Sequence, residues 1–392
     1  MVSDDEASLR GDKSSHRSAL RSEVSDYLCS LWTMLAISCV FLSFSSAPVP
    51  NGGDGGAGVC VTGCSPYTEP PFPTWTNMVS EMSKECKLMV HVGDTKSGSG
   101  VCDDDLMAGP LRIMVATGTP TLYTLGDNEA TDCHRMATRG DYTAVGGSTC
   151  RDDPCTYPRE SQFYQAEAAR TYMIEQFMSD TTTDLTGKLP VTTQSEDCPF
   201  NTMVVVDKML VAPIEMPGSN FGLSNEANME FVDPYDSKEK CTTDACKATM
   251  SHLDMFHRAN NCNMAWIEGA AYNAAALGLK VVIIPFHARW WTDPPNGGVK
   301  HEAAYGDFYS KMKNVTKANP DIMFYTVHAD SHYWILFSPD FTENWVNVMV
   351  EGSTRGLTSF AQFTFEEGHE FDPVSIKEVH RKMPEATDMY SN

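Results

Sequence analysis

The sequence predicts a single α/β domain behind one N-terminal hydrophobic helix, and the order of its apolar segments supports the α/β prediction. Beyond residue 58, short strand-type runs first alternate with longer helical patterns and then follow one another closely. Strands separated by helices are typical of parallel pairing, whereas closely spaced strands are typical of hairpins. With 42% hydrophobic and 10% aromatic residues, the chain has enough apolar material for a sizeable core.

The individual elements follow from periodicity and composition. Strands are predicted at Leu88–Gly93, Thr121–Leu125, Met203–Asp207, Val281–Phe286, Met323–Val327, Tyr333–Phe337, Val346–Val350 and Phe360–Phe365. Helices are predicted at Thr74–Glu85, Ser161–Met178, Asn261–Leu277 and Glu302–Lys317. The polar stretches between these elements are expected to lie on the surface.

The N-terminal segment indicates a membrane anchor. No charged residue occurs between Asp26 and Asp54, and Tyr27–Ser46 is mostly apolar. As a helix that rises ~1.5 Å per residue, this segment can cross a hydrocarbon layer of ~30 Å. Basic residues precede it, and the next one after it is Lys84, so the positive-inside rule places residues 1–26 in the cytoplasm. The domain is then lumenal or extracellular in a single-pass membrane protein.

A signal peptide cleaved near Ser45–Ala47 is the alternative, and it would make the protein secreted. Pro48 lies close to that cleavage point and favours the anchor. Residues 47–58 are rich in proline and glycine and are predicted to be a flexible linker. The domain is then expected to span residues 59–370, followed by a C-terminal tail at 371–392.

The charge balance excludes one class of partner. Acidic residues outnumber basic ones 52 to 29, which gives a net charge of −23. Such a surface repels phosphate backbones, so no nucleic-acid binding is expected.

The cysteines agree with export. The chain has 13 of them, most beyond the hydrophobic segment, and such a number in a large domain suggests an oxidising compartment. Cys150 and Cys155, and likewise Cys241 and Cys246, flank short polar loops and are predicted to form local disulfides. Asn314 begins a glycosylation sequon, which matters only in the secretory pathway.

Polar side chains stand where the predicted strands end. Asp94 and Asp127 each follow a strand that closes on Gly-Asp, and His287 closes a third strand. Asp330 and His332 form an Asp-x-His at the end of a fourth. Ligands of open α/β sheets bind beyond the carboxyl ends of the strands. A single Gly-Asp turn is commonplace, but the four endings together predict a metal or catalytic site.

The order of these endings resembles that of the calcineurin-like metallophosphoesterases. The blocks HVGDTKSGSGVC (91–102) and LYTLGDNEATDCHR (122–135) are similar to those of a bacterial-type subgroup. The same holds for NFGL (220–223) and HADSHYW (328–334). The resemblance extends over nearly the whole domain and implies a four-layer αββα sandwich with two divalent metals at the strand ends.

The resemblance also implies roles for individual residues. Asp94 would bridge two metals, Asp127 would stand at the family's asparagine ligand, and His287, Asp330 and His332 would be further ligands. The cofactor would be one or two divalent ions, with manganese, iron, zinc and magnesium not distinguished by the sequence. Paired cations activate a hydroxide for in-line attack and neutralise phosphoryl oxygens. The implied function is therefore hydrolysis of phosphate mono- or diesters, with a small phosphorylated substrate.

Two positions depart from the family. Cys64 stands where the first aspartate belongs. As a thiolate it would bind a soft metal such as zinc. The favoured interpretation is a disulfide, for example with Cys60 or Cys102, or an inert cysteine, and either would impair the first metal position. Asn128 stands where the wider family has a histidine that protonates the leaving oxygen, which an asparagine cannot do.

Other residues are candidates for the missing functions. His91 and His134 could replace the lost histidine, or each could simply bond a neighbouring carbonyl. Lys96 in the GDTKSG loop is a candidate phosphate ligand, and Trp290 and Trp291 would either stack on a substrate or pack in the core. The departures leave a second hypothesis open, a catalytically silent extracellular domain with the same fold. A free Cys64 that points into the cluster would count against it.

Overall fold

A computed structural model describes residues 58–67, 72–98, 104–130, 189–218, 252–291, 303–339, 342–354, 357–368 and 373–382, all within the unit Pro50–Asn392. The predicted anchor, His134, Cys102, the helix at 161–178 and both predicted local disulfides lie outside these residues. Within the described ranges, none of the helices combines the length and the apolar character that a membrane crossing requires.

The first sheet has six strands. They are β1 (Val59–Thr62), β2 (Leu88–His91), β3 (Thr121–Tyr123), β11 (Ser353–Thr354), β12 (Leu357–Phe365) and β13 (Val374–Lys382). Strands β1, β2 and β3 run parallel, while β12 pairs antiparallel with β1, β11 and β13. Parallel neighbours need crossover connections, and these are helices α1 (Pro73–Glu85) and α2 (Asp104–Ala116).

The second sheet has seven strands in the order β4-β5-β6-β7-β8-β10-β9. They are β4 (Thr192–Ser195), β5 (Cys198–Val206), β6 (Met209–Val211), β7 (Val281–Pro285), β8 (Met323–His328), β9 (Ile335–Phe337) and β10 (Trp345–Met349). Strands β6, β7, β8 and β10 are parallel. Helix α4 (His252–Ala276) precedes β7, and a 3-10 turn (Ala303–Tyr305) with helix α5 (Gly306–Ala318) precedes β8. The short helix α3 (Asp127–Ala130) follows β3.

The two sheets face each other across a shared apolar core. Val61 and Val90 of the first sheet belong to one buried cluster with Ile283 and Val327 of the second. Separate clusters join α1 and α2 to the first sheet, and α4 and α5 to the second. The prediction of a mixed α/β fold is confirmed, and two multi-stranded sheets carry helices on their outer faces.

Each predicted strand overlaps an observed one, but the predicted C-terminal tail is wrong for residues 374–382. These residues form β13, which pairs with β12 from Val374↔Phe365 to Lys382↔Leu357. Only three of its nine residues, Val374, Ile376 and Val379, are apolar, so the apolar signal of the strand is weak in the sequence. Helix α2 was also missed by the periodicity.

Two disulfides tie helical segments to the sheets. Cys60 of β1 pairs with Cys86, directly after α1, at a sequence separation of 26. Cys198 of β5 pairs with Cys262 of α4, at a separation of 64.

Replacing Cys60 and Cys86 together by serine is expected to lower the free energy of unfolding by about 3.5 kcal/mol, because the disulfide restricts the unfolded chain. The Cys198–Cys262 disulfide closes a longer loop, so the matched double serine variant at these two positions should lower the free energy of unfolding by about 4.3 kcal/mol. Urea unfolding of both variants and the wild type measures the effect, and unchanged midpoints would contradict it.

Candidate metal centre

The ends of the parallel strands bring carboxylates and one imidazole together. Asp94 lies just after β2, Asp127 opens α3 after β3, His287 follows β7 and Asp330 follows β8. Ligand atoms of Asp127, His287 and Asp330 all lie within 4.8 Å of one another, and so do those of Cys64, Asp94 and His287. The structure thus places two three-residue groups, which share His287, at neighbouring ends of the two sheets.

His287 is the centre of the cluster. Its ring is fully buried, and Nδ1 lies 2.8 Å from the Val92 carbonyl oxygen. Because a carbonyl can only accept, Nδ1 carries a proton, and Nε2 faces the carboxylates, where a cation that displaces its proton would bind. Nε2 has no hydrogen-bond partner and lies 3.4 Å from Oδ1 of both Asp94 and Asp127. Two ligands on one tetrahedral ion with bonds of about 2.0–2.1 Å stand about 3.3 Å apart, so these separations fit a shared cation.

The electrostatics of the cluster also favour a cation. Burial raises the pKa of Asp94 well above its usual value, and the His287 imidazolium offsets this only in part. Burial lowers the pKa of His287, but the carboxylates, with Asp94 the strongest, outweigh it and hold that pKa well above its usual range. Buried carboxylates at this density need a compensating positive charge, which a proton or a metal ion supplies.

Hydrogen bonds fix the carboxylate of Asp94. Oδ1 accepts from the Asn128 backbone N–H at 2.9 Å. Oδ2 accepts from the Tyr67 hydroxyl at 2.8 Å and from Asn128 Nδ2 at 2.6 Å. Asp94 also adopts a positive φ of 61°, a conformation that is rare outside glycine and clusters at functional sites. Asn128, which the resemblance places at a catalytic position, therefore orients Asp94.

Glu129 is a site residue that sequence reasoning missed. Its buried carboxylate accepts from the backbone N–H of Asp94 at 2.9 Å and of Thr95 at 2.6 Å. The Tyr123 hydroxyl donates to the same group at 3.3 Å. A Cβ at Gly126 would overlap the backbone nitrogen and Oδ1 of Asp94, so glycine is required where β2 and β3 end. The sequence signal that could have identified this residue is the glutamate at the end of the Gly-Asp-Asn-Glu motif.

Cys64 is a free, buried thiol beside this cluster. Cys60 pairs with Cys86, so the predicted Cys60–Cys64 disulfide is wrong, and Cys64 is the free cysteine among those that the structure describes. Its Sγ donates to Asp94 Oδ2 across 3.8 Å. Burial and the Asp94 carboxylate raise the pKa of this thiol, which is uncharged without a bound cation.

Asp330 and His332 differ in how they join the cluster. Asp330 belongs to the group with Asp127 and His287, and its Oδ2 accepts from the Arg289 backbone N–H at 2.8 Å. His332 lies in neither of the two groups found within the described ranges. Its Nε2 lies 3.2 Å from the Tyr67 hydroxyl, which stands between this ring and Asp94.

His91 does not reach the rim: of the two roles left open by the sequence, the structure shows the bond to a neighbouring carbonyl and not the protonation of a leaving oxygen. The ring is fully buried, with Nε2 2.7 Å from the Ser65 carbonyl oxygen and Nδ1 accepting from the Gly93 N–H at 3.2 Å. Burial lowers the pKa of His91 to about 4, so the ring is neutral. Both ring nitrogens form hydrogen bonds with the backbone, so His91 stabilises the structure at the end of the strand.

The remaining candidates are also buried. The Lys96 side chain is 2% exposed, and its Nζ donates to the Ser97 carbonyl at 3.1 Å. Its role as a phosphate ligand stays a prediction. Trp290 and Trp291 are buried in the core, so they pack instead of offering a stacking surface.

No protein-family model matches the sequence, and no curated protein matches it. Among solved structures, the chain is similar to the 5'-nucleotidase from Candida albicans SC5314, with a TM-score of 0.37 and 10% identity over 84% of this chain and 52% of that one. It is also similar to the phosphopantetheinyl hydrolase (PptH) from Mycobacterium tuberculosis, with a TM-score of 0.36 and 11% identity over 75% of this chain and 89% of that one.

The chain spans about half the length of the nucleotidase. Structural similarity this low does not support a functional assignment, so the function is inferred from the residues of the site. The class that the structure defines is an α/β protein with a buried carboxylate and imidazole cluster at its strand ends.

Proposed function

We propose that the chain is a metal-dependent hydrolase of phosphate esters with the four-layer arrangement of the metallophosphoesterases. The observation behind this proposal is the buried Nε2 of His287, which has no hydrogen-bond partner and faces two carboxylate oxygens at 3.4 Å. A buried polar atom without a partner costs free energy. A divalent cation satisfies it and neutralises the carboxylates at the same time.

Asp94, Asp127, His287 and Asp330 are the residues that would hold the cation or cations. Carboxylate and imidazole donors suit zinc, manganese, iron or magnesium. A divalent ion, when bound, supplies charge that offsets a phosphoryl group and lowers the pKa of water. The protein itself contributes positioning, because Glu129 anchors the Asp94 backbone and Asn128 orients the Asp94 carboxylate.

The cluster is more exposed on one side than on the other, and we take that side as the one from which a substrate enters. Cys64, Asp94 and His287 are buried, whereas Asp330 and His332 are only half-buried. A small phosphate ester can approach from this side, next to Asp127. The net charge of −23 favours such a substrate over a polyanionic nucleic acid.

A catalytically silent binding domain is the second candidate, and Asn128 is the observation that favours it. Asn128 donates to Asp94 and to the Lys96 carbonyl, and an amide supplies no proton to a leaving oxygen. The free thiol of Cys64 beside Asp94 favours the hydrolase, because a disulfide would have withdrawn the residue from the cluster.

We further infer that the domain is exported. Disulfides such as Cys60–Cys86 and Cys198–Cys262 form and persist in oxidising compartments. This supports the prediction of a membrane anchor or signal peptide at residues 27–46, which places the domain in the lumen or outside the cell.

Assays of the purified chain test the hydrolase directly. The substrates are p-nitrophenyl phosphate and bis(p-nitrophenyl) phosphate, with zinc, manganese, iron or magnesium added in turn, and His287→Gln is the comparison. We expect hydrolysis of at least one ester, lost with a chelator, restored by metal and absent from the variant. Metal binding without hydrolysis would support the silent domain, and no metal binding would contradict both the hydrolase and a silent domain that holds an ion.

A further inference from the structure

The backbone on both sides of Cys64 is fixed by the strand ends. The Cys64 N–H donates to the Gly93 carbonyl at 2.9 Å, and its carbonyl accepts from the Ser353 N–H at 2.9 Å. Cys64 has a positive φ of 49°. The turn after β1 therefore fixes the position of the thiol next to Asp94, which lies just after β2.

Close packing prevents this turn from shifting. A Cβ at Gly352 would stand 2.8 Å from Cys64 Cβ, and a Cβ at Gly63 would stand 2.8 Å from Ala329 Cβ. Gly352 also has a positive φ of 70°. The thiol is consequently held with Sγ 3.8 Å from Asp94 Oδ2.

A separate observation shows that the thiol faces a ligand position. The ligand atoms of Cys64, Asp94 and His287 lie within 4.8 Å of one another, and Nε2 of His287 has no hydrogen-bond partner. Sulfur, oxygen and nitrogen donors at this spacing are a donor set for zinc. A cysteine that only filled space in the core would not need to face the oxygen of a carboxylate.

We propose that Cys64 is a thiolate ligand of the metal centre and makes it select a thiophilic ion such as Zn²⁺ over Mg²⁺. This inference rests on the proposed function, since it takes the cluster to be a metal centre. On binding, the thiol proton leaves to solvent and the sulfur lone pair bonds the ion. Thiolates favour zinc, whereas magnesium favours oxygen ligands, so one sulfur in place of the family's aspartate changes the preference.

Cobalt substitution of the full-length chain tests the proposal. Metal is stripped with a chelator and one equivalent of Co²⁺ is added. The expected result is a near-ultraviolet thiolate-to-cobalt charge-transfer band in the wild type that is lost in Cys64→Ser. Cys64→Asp should also lose the band and show a smaller preference for Zn²⁺ over Mg²⁺ in competition titrations.

X-ray absorption of the zinc-loaded wild type gives a second measurement that needs no variant, and sulfur is expected at about 2.3 Å from zinc. Cobalt ligand-field bands without a charge-transfer band, together with zinc that has only nitrogen and oxygen neighbours, would overturn the role of Cys64 and leave the proposed function standing. A wild-type chain that takes up neither Co²⁺ nor Zn²⁺ would overturn both.

Discussion

Asp94→Asn is expected to abolish tight binding of a divalent metal and to slow hydrolysis of a phosphate ester by about a thousandfold. Both oxygens of Asp94 accept hydrogen bonds, and Oδ1 also faces His287. In the asparagine variant, an NH2 group replaces one acceptor oxygen and faces a neighbouring hydrogen-bond donor. The variant also lacks the negative charge, which weakens the attraction for a cation. A thousandfold corresponds to about 4 kcal/mol of transition-state stabilisation.

Metal affinity by competition with a chromogenic chelator and rates on bis(p-nitrophenyl) phosphate measure this effect. Asp321→Asn is the matched control, because it is the same change at an exposed aspartate next to β8. The control should bind metal and hydrolyse the ester as the wild type does. A fully active Asp94→Asn enzyme would remove Asp94 from the centre.

Glu129→Ala is expected to reduce the free energy of unfolding by about 3–5 kcal/mol, because it leaves several buried donors without an acceptor. These donors are the N–H groups of Asp94 and Thr95 and the hydroxyl of Tyr123. The loss should also weaken metal binding, since the backbone of Asp94 is no longer held at the end of β2.

Urea unfolding of Glu129→Ala beside Glu343→Ala separates this effect from that of losing a glutamate in general. Glu343 is exposed, so its variant should unfold at the wild-type midpoint. Equal midpoints for Glu129→Ala and the wild type would show that the carboxylate does not support the turn.

The parts of the site that follow from local sequence were predictable. Asp94, Asp127 and His287 each come directly after an apolar run, and parallel strands bring their carboxyl ends to one edge. The strand runs themselves located the sheets, because burial on both faces leaves a continuous apolar signal. The short strands β1, β4, β6 and β11 were not predicted, and neither was β13, in which polar and charged residues outnumber apolar ones.

The rest depends on contacts between distant segments. The Cys60–Cys86 disulfide depends on how α1 connects β1 to β2, which the sequence does not show. Because Cys60 pairs with Cys86, Cys64 is left free. The role of Glu129 requires that α3 point its side chain at the turn after β2. The ring of His91 likewise turns into the protein, where the Ser65 carbonyl fixes it.

The metal content of the purified full-length chain tests the central claim most directly. After extensive dialysis against metal-free buffer, elemental analysis should find at least one equivalent of a divalent transition metal per wild-type chain and next to none in Asp94→Asn. A wild-type chain that holds no metal after purification, and takes up neither zinc nor manganese when these are added, would contradict the claim that this cluster is a metal centre.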